Sequence, residues 1–171
     1  DTERNDDELK VYGAVTSNEN VMKKGADIRK GETVLKAGRV LGSSEIGVLA
    51  ALGLTKARVF TVPVVAVLST GAEVTEPGEK LPPGKIYDIN AYSLSTAVWE
   101  SGAKPVYLGV VQDDQTALRE AMERALASAD VVITSGGVSV GPRDITPQTV
   151  DSLGKPGLIV CGIAVKPGKP T

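Results

Sequence analysis

The sequence predicts an α/β fold: a mostly parallel sheet with helices on both faces, preceded by a small helical and β segment. Three observations predict it. Short apolar runs rich in β-branched residues recur over 64–68, 106–111, 131–133 and 158–165. Segments with helical spacing separate them, so the connections are crossovers and the strands run parallel. The first three runs end in hydroxyls, glycines or carboxylates, and the fourth in Lys166-Pro167-Gly168-Lys169.

Residues 1–10 are polar and acidic without an apolar period, and read as a loop or mobile entry. Residues 11–15 read as a short strand, and Thr33-Val34-Leu35 as strand-like. Asp27 lies between glycine turns and has the ordinary role of a turn-forming side chain there. Ser43-Ser44-Glu45 signals a helix start, with a hydroxyl cap and an acid in the first turn. Ile46, Leu49, Ala50 and Leu52 follow, and Gly53 is a natural stop. Pro63 marks a change of organisation, with a domain boundary expected near 58–63.

The strand over 64–68 runs into Ser69-Thr70-Gly71-Ala72-Glu73, and the proline-rich stretch 76–84 is loop. Asp88 and Asn90 read either as helix caps or as ligand contacts. Leu94, Ala97 and Val98 would line one face of the helix that ends at Gly102. After 106–111 come Asp113 and Asp114, the latter a candidate cap for a helix carrying Leu118, Ala121, Met122, Ala125 and Leu126. Glu120 and Arg124 are spaced to pair on its outer face. The strand over 131–133, expected to be buried on both faces, opens into Ser135-Gly136-Gly137. These glycines let backbone approach a ligand closely. Asp144 precedes a helix expected over 147–153. The last strand, 158–165, would hold Cys161 as a small buried hydrophobe.

The 171 residues are 42% apolar and 23% charged, with net charge −2. That balance gives no sign of nucleic acid or anionic membrane as a partner, and no apolar run is long enough to span a bilayer. With a single Cys there is no internal disulfide, and with no His there is no Ser-His-Asp, Cys-His or His-ligated metal chemistry. Carboxylates, lysines, hydroxyls and backbone amides remain, an inventory suited to a hard cation such as Mg²⁺. Residue 1 is Asp and both ends read as cut, so the expectation is a part of a larger protein.

In a parallel sheet the strand C-termini share one edge. That edge would collect Thr70, Gly71, Glu73, Asp113, Asp114, Ser135, Gly136, Gly137, Lys166 and Lys169. Hydroxyls and amides suit phosphate oxygens, carboxylates suit Mg²⁺ bridging them, and the lysine pair suits an oxyanion.

Several ordered motifs resemble the molybdenum-insertion enzymes of molybdenum-cofactor synthesis, the MoeA and gephyrin E-domain family. They are Ser69-Thr70-Gly71-Ala72-Glu73, the run 81–90 from Leu-Pro-Pro-Gly-Lys to Asp88-Ile89-Asn90, 108–114, 134–141 with Asp144, and Lys166-Pro167-Gly168-Lys169-Pro170. Gly25-Ala26-Asp27-Ile28 and 44–50 are similar to family segments upstream. Ala72 departs from the family, which usually has Asp or Asn there.

The resemblance implies the tail of a β-rich domain over 1–20, part of a linking domain over 21–60, and a C-terminally truncated molybdopterin-binding domain over 61–171. It implies a cytoplasmic homodimer that hydrolyses adenylated molybdopterin with Mg²⁺ while inserting molybdate. Thr70, Gly71, Glu73, Ser135, Gly136, Gly137 and Ser139 would hold the pterin phosphate and its surroundings. Asp113 and Asp144 would be the functional carboxylates, binding Mg²⁺ with Asp88. Lys166 and Lys169 would hold molybdate, and Asp27 would lie near an interdomain cleft. A gephyrin-like receptor-clustering scaffold and a CinA-type nucleotide-processing protein are the competing readings.

Overall fold

The computed structural model describes residues 2–136 and 145–164. The chain forms two compact units, Asp1–Val59 and Phe60–Thr171.

In the first unit, β1 (Thr2–Asn5) and β2 (Glu8–Val11) make an antiparallel hairpin where a loop was expected. Asn5 pairs with Glu8, so Asp6 and Asp7 form a two-residue turn. Asp6 adopts φ 44°, a left-handed conformation that Asp tolerates. Both strands are exposed throughout, so no apolar alternation marks them. Of the strand expected over 11–15 only Val11 is extended in a ladder, and 33–35 forms none. Helix α1 spans Ser43–Ala51, but its cap is Gly42 rather than a serine hydroxyl. Glu45 reaches back instead, accepting the Gly42 N–H at 3.0 Å through Oε2 and the Arg39 Nε–H at 2.9 Å through Oε1. The Arg39 hydrogen bond first, then backbone amides, hold the Glu45 carboxyl below the usual carboxylate range. Gly53, at φ 73°, ends the helix as expected.

The second unit is built on β3 (Val64–Thr70), β6 (Lys104–Val111) and β7 (Val131–Ser135), parallel and in the order β6-β3-β7. A minor parallel pair, β4 (Val74–Thr75) and β5 (Ile86–Tyr87), lies in the β3 to α2 connection. Helix α2 (Asn90–Glu100) packs on β3 and β6, and α3 (Gln115–Ser128) packs on all three strands and on α4 (Thr146–Ser152). The steps from β3 to β6 and from β6 to β7 run in opposite directions across the sheet. Right-handed crossovers therefore put α2 and α3 on opposite faces.

Burial follows this order. β3 is buried from Val65 to Thr70, as a strand covered on both faces must be. β7, expected to be buried on both faces, is an edge of the described sheet and half-buried. The core beneath α3 joins Leu68 to Leu118, Ala121 and Met122, with Val111, Ile145, Val150 and Leu153 around it. The helical spacing of 118–125 is thus the buried face, while Leu126 is exposed. The outer ion pair is Arg119–Glu123 at 2.9 Å, not Glu120 with Arg124. On α2 the inward residues are Ala91 and Val98, and Ala97 faces water.

Two further features shape the sheet edge. Val67 pairs with Tyr107 but Ser69 pairs with Val110, so β6 carries one extra residue in a bulge. Gly109, at φ 88°, sits there because a bulged residue in that conformation favours glycine. The strand expected over 158–165 is absent among the described residues 158–164. Gly157 and Gly162 both adopt positive φ, and the Leu158 N–H donates to Asp151 Oδ1 at 2.7 Å instead of to a ladder. Cys161 is consequently exposed rather than buried. Among the described residues no helix is long and apolar enough to cross a membrane.

Candidate functional site

β3 and β7 end side by side, with Ser69 opposite Ser135. The two turns that follow are pressed together. Gly136 adopts φ 96°, and a Cβ there would overlap the carbonyl oxygen of Thr70. Glycine is therefore needed for strand packing itself, before any ligand is considered. Gly71, at φ 141°, starts the other turn, and a Cβ on it would meet Glu73 Oε2 at 3.0 Å. The Glu73 carboxylate thus folds back over bare backbone.

These turns border a cavity of about 110 Å³ lined by Ser69, Thr70, Glu73, Ser135 and Gly136, by Val74 of β4, and by β5 and the α2 entry over 86–90. Ser69 and Thr70 are only 2% and 4% exposed, yet among the described residues their hydroxyl oxygens have no hydrogen-bond partner. Stranding buried hydroxyls is costly unless something else satisfies them.

Asp88 and Asn90 divide the two roles the sequence left open. Asp88 is buried and caps α2 from one residue outside it: Oδ1 accepts the Ala91 N–H at 3.0 Å. Its Oδ2 accepts the Tyr107 hydroxyl at 3.1 Å. Burial first, then this bond to Asp88, push the Tyr107 hydroxyl well above the usual tyrosine pKa. Tyr107 also rests against Tyr92 of α2, ring centroids 5.7 Å apart. Asn90 caps nothing. Its Nδ2 donates to Ser135 Oγ at 2.9 Å, tying the start of α2 to the end of β7.

Asp113 and Asp114 follow β6. Asp114 is the cap of α3, accepting the Ala117 N–H at 2.8 Å. Asp113 Oδ2 accepts the Ala72 N–H at 3.2 Å and so ties the β6 exit to the β3 turn.

Of the candidates, Thr70, Gly71, Glu73, Ser135, Gly136, Asp88 and Asp113 therefore gather on one edge. Gly137, Ser139, Asp144, Lys166 and Lys169 lie outside the described residues. Asp27 belongs to the first unit, where it lines a separate open cavity with Gly25, Ala26, Arg29 and Glu32. The sequence puts Ser69 in the polar turn after the strand over 64–68 and not among the ligand residues, whereas the structure places it inside β3. Tyr107 escaped the sequence reading because it sits inside the apolar run 106–111, where its only signal is a lone polar residue. Among the described residues no cluster of three or more acidic, Cys or His side chains is assembled for a metal. Each Asp88 oxygen already accepts a protein hydrogen bond, which leaves it the least available carboxylate of the edge.

A sequence profile described as "Probable molybdopterin binding domain" matches residues 66–171, and one for the "MoeA N-terminal region (domain I and II)" matches residues 1–53. A molybdopterin molybdenumtransferase from Nostoc sp. is 41% identical over 89% of the chain and 35% of its own length. One from Haemophilus influenzae is 37% identical over 90% of the chain and 37% of its own length. The crystal structure of a molybdopterin biosynthesis MoeA protein from Pyrococcus horikoshii superposes with a TM-score of 0.82 at 42% identity. It covers 99% of this chain, which spans 42% of that protein. The chain thus spans roughly two-fifths of the length of the relatives it matches.

Proposed function

The chain belongs to the MoeA family, and from that membership we propose that it forms part of an enzyme that inserts molybdenum into molybdopterin. The substrates are adenylated molybdopterin and molybdate, the supporting cation is Mg²⁺, and the protein works in the cytoplasm as a homodimer. The observation that carries this reading is the pair of buried hydroxyls, Ser69 and Thr70, without a hydrogen-bond partner among the described residues, beside the paired glycine turns of β3 and β7. A polar ligand held there would satisfy groups that the fold leaves wanting.

In this reading Thr70, Gly71, Glu73, Ser135 and Gly136, with Gly137 and Ser139, contact the pterin and its phosphate. Asp113 and Asp144 supply carboxylates to Mg²⁺, with Asp88 contributing least because both its oxygens are engaged. Oxygen donors of this kind fit a hard cation, which would neutralise phosphate charge as the adenylate is hydrolysed. Lys166 and Lys169 offer charge to molybdate, and Asp27 serves an interdomain cleft.

The test is nucleotide release from molybdopterin adenylate by the whole protein, with and without Mg²⁺ and molybdate. Release is expected to need both, and Asp144→Asn is expected to slow it at least tenfold with unfolding unchanged, about the size of a lost general base or metal ligand. Absence of release under all conditions, with the substrate bound by a known insertion enzyme alongside, would sink the reading.

A further inference from the structure

We propose that Glu73 reads the ring of the ligand: its carboxylate receives the N–H donor edge of an uncharged nitrogen heterocycle, and the phosphate is held elsewhere on the strand edge. This inference rests on the pterin reading above and assigns the moieties within it.

Charge carries the assignment. The ionisable residues that line the cavity are Glu73, Asp88 and Tyr87, and no Lys or Arg lines it among the described residues. A phosphate placed there would face Glu73 and Asp88 with no Lys or Arg beside it among the described residues, a less favourable setting than a neutral ring finds. A neutral ring with N–H donors meets no such penalty. It gains charge-assisted hydrogen bonds to a carboxylate, the stronger class.

Availability then selects Glu73. Asp88 is occupied by Ala91 and Tyr107. Among the described residues the Glu73 carboxylate has no hydrogen-bond partner, and it lies over Gly71, whose lack of a Cβ leaves it room. The remaining groups fit the rest of such a ring. Asn90 donates to Ser135 Oγ, so the Ser135 proton stays free to donate. The Ser69 and Thr70 hydroxyls in the same wall have no partner among the described residues. Val74, Ile86 and Ile89 add apolar surface against which a planar ring can lie. The cavity, about 110 Å³, takes the edge of one ring system rather than a whole adenylated substrate.

The test is fluorescence titration of the whole protein with 6-hydroxymethylpterin, which has the ring but no phosphate. Wild type is expected to bind it, Glu73→Gln to bind it tenfold or more weakly, and inorganic phosphate not to displace it. The thermal midpoint of the variant is expected to match wild type, because Glu73 is exposed. Equal affinity in Glu73→Gln, or displacement by phosphate, overturns the assignment. Binding of molybdopterin without binding of the phosphate-free pterin overturns it while leaving the proposed function standing. Binding of neither removes both.

Discussion

β3 and β6 lie side by side and end on the same edge of the sheet, yet their polar groups have opposite fates. At the β6 exit the protein uses its own carboxylates: Asp113 serves the Ala72 amide and Asp114 the first turn of α3. At the β3 exit the hydroxyls of Ser69 and Thr70 are buried and have no partner among the described residues. Sequence composition treats both exits as polar turns. The structure distinguishes a turn whose carboxylates each serve a backbone amide through one oxygen from a turn whose buried hydroxyls have no partner among the described residues. Asp88 and Asn90 repeat the contrast within one helix entry, since both oxygens of Asp88 accept bonds while the side-chain amide oxygen of Asn90 has no partner among the described residues.

Substitutions can break that contrast at different depths. The largest effect is expected at Gly136→Val. The added Cβ overlaps the Thr70 carbonyl and forces an unfavourable φ, so denaturant unfolding is expected to show a loss of about 3 kcal/mol or more. The ligand role of this turn cannot then be separated from its folding role by that variant. A near-neutral result would mean the two strand ends are not pressed together.

Asp88→Ala comes next. It strands the Ala91 amide and the buried Tyr107 hydroxyl, at about 2–3 kcal/mol. Tyr107→Phe removes one partner more gently, at about 1 kcal/mol, and carries a pH signature. Tyr107 titrates above its ordinary value of 10.0 in the folded protein. Its contribution is therefore complete below pH 10 and is lost as pH rises through the folded pKa. Wild type is expected to lose stability across that alkaline range more steeply than Tyr107→Phe, and parallel curves would contradict it.

The β6 exit provides the smaller contrasts. Asp114→Ala removes a helix cap and is expected to cost about 1 kcal/mol in equilibrium unfolding. Asp113→Asn keeps an acceptor for the Ala72 amide, so its cost is expected to stay within about 0.5 kcal/mol. If Asp113 acts in catalysis as proposed, its charge rather than its hydrogen bond matters, and nucleotide release is expected to fall about tenfold while unfolding hardly moves.

What the sequence made legible follows from which forces leave a periodic trace. α3 was readable because Leu118, Ala121, Met122 and Ala125 repeat at helical spacing against one core. The β1–β2 hairpin was not, because both faces meet water and nothing enforces alternation. The run 158–165 misled for the opposite reason. Its Leu-Ile-Val composition is strand-like, but the backbone at Gly157 and Gly162 takes positive φ, and Asp151 captures the first amide. At the site, the glycine turns announced themselves locally. The Asn90–Ser135 bond and the Asp88–Tyr107 bond join residues far apart in sequence, and no local spacing encodes them.

The bulge at Gly109 shows that chain length, as well as residue identity, carries information. Upstream of it, Tyr107 faces Asp88 and α2; downstream, Val111 faces Leu68 and the α3 core. Neighbouring side chains on a strand alternate faces, so residues 107 and 111 would share a face on an unbroken strand. The extra residue reverses the parity between them. Deleting Gly109 would be a frameshift in space: no side chain downstream would change its chemistry, but Val111 would turn toward the wrong layer and the exit that carries Asp113 would leave the sheet rotated away from Ala72.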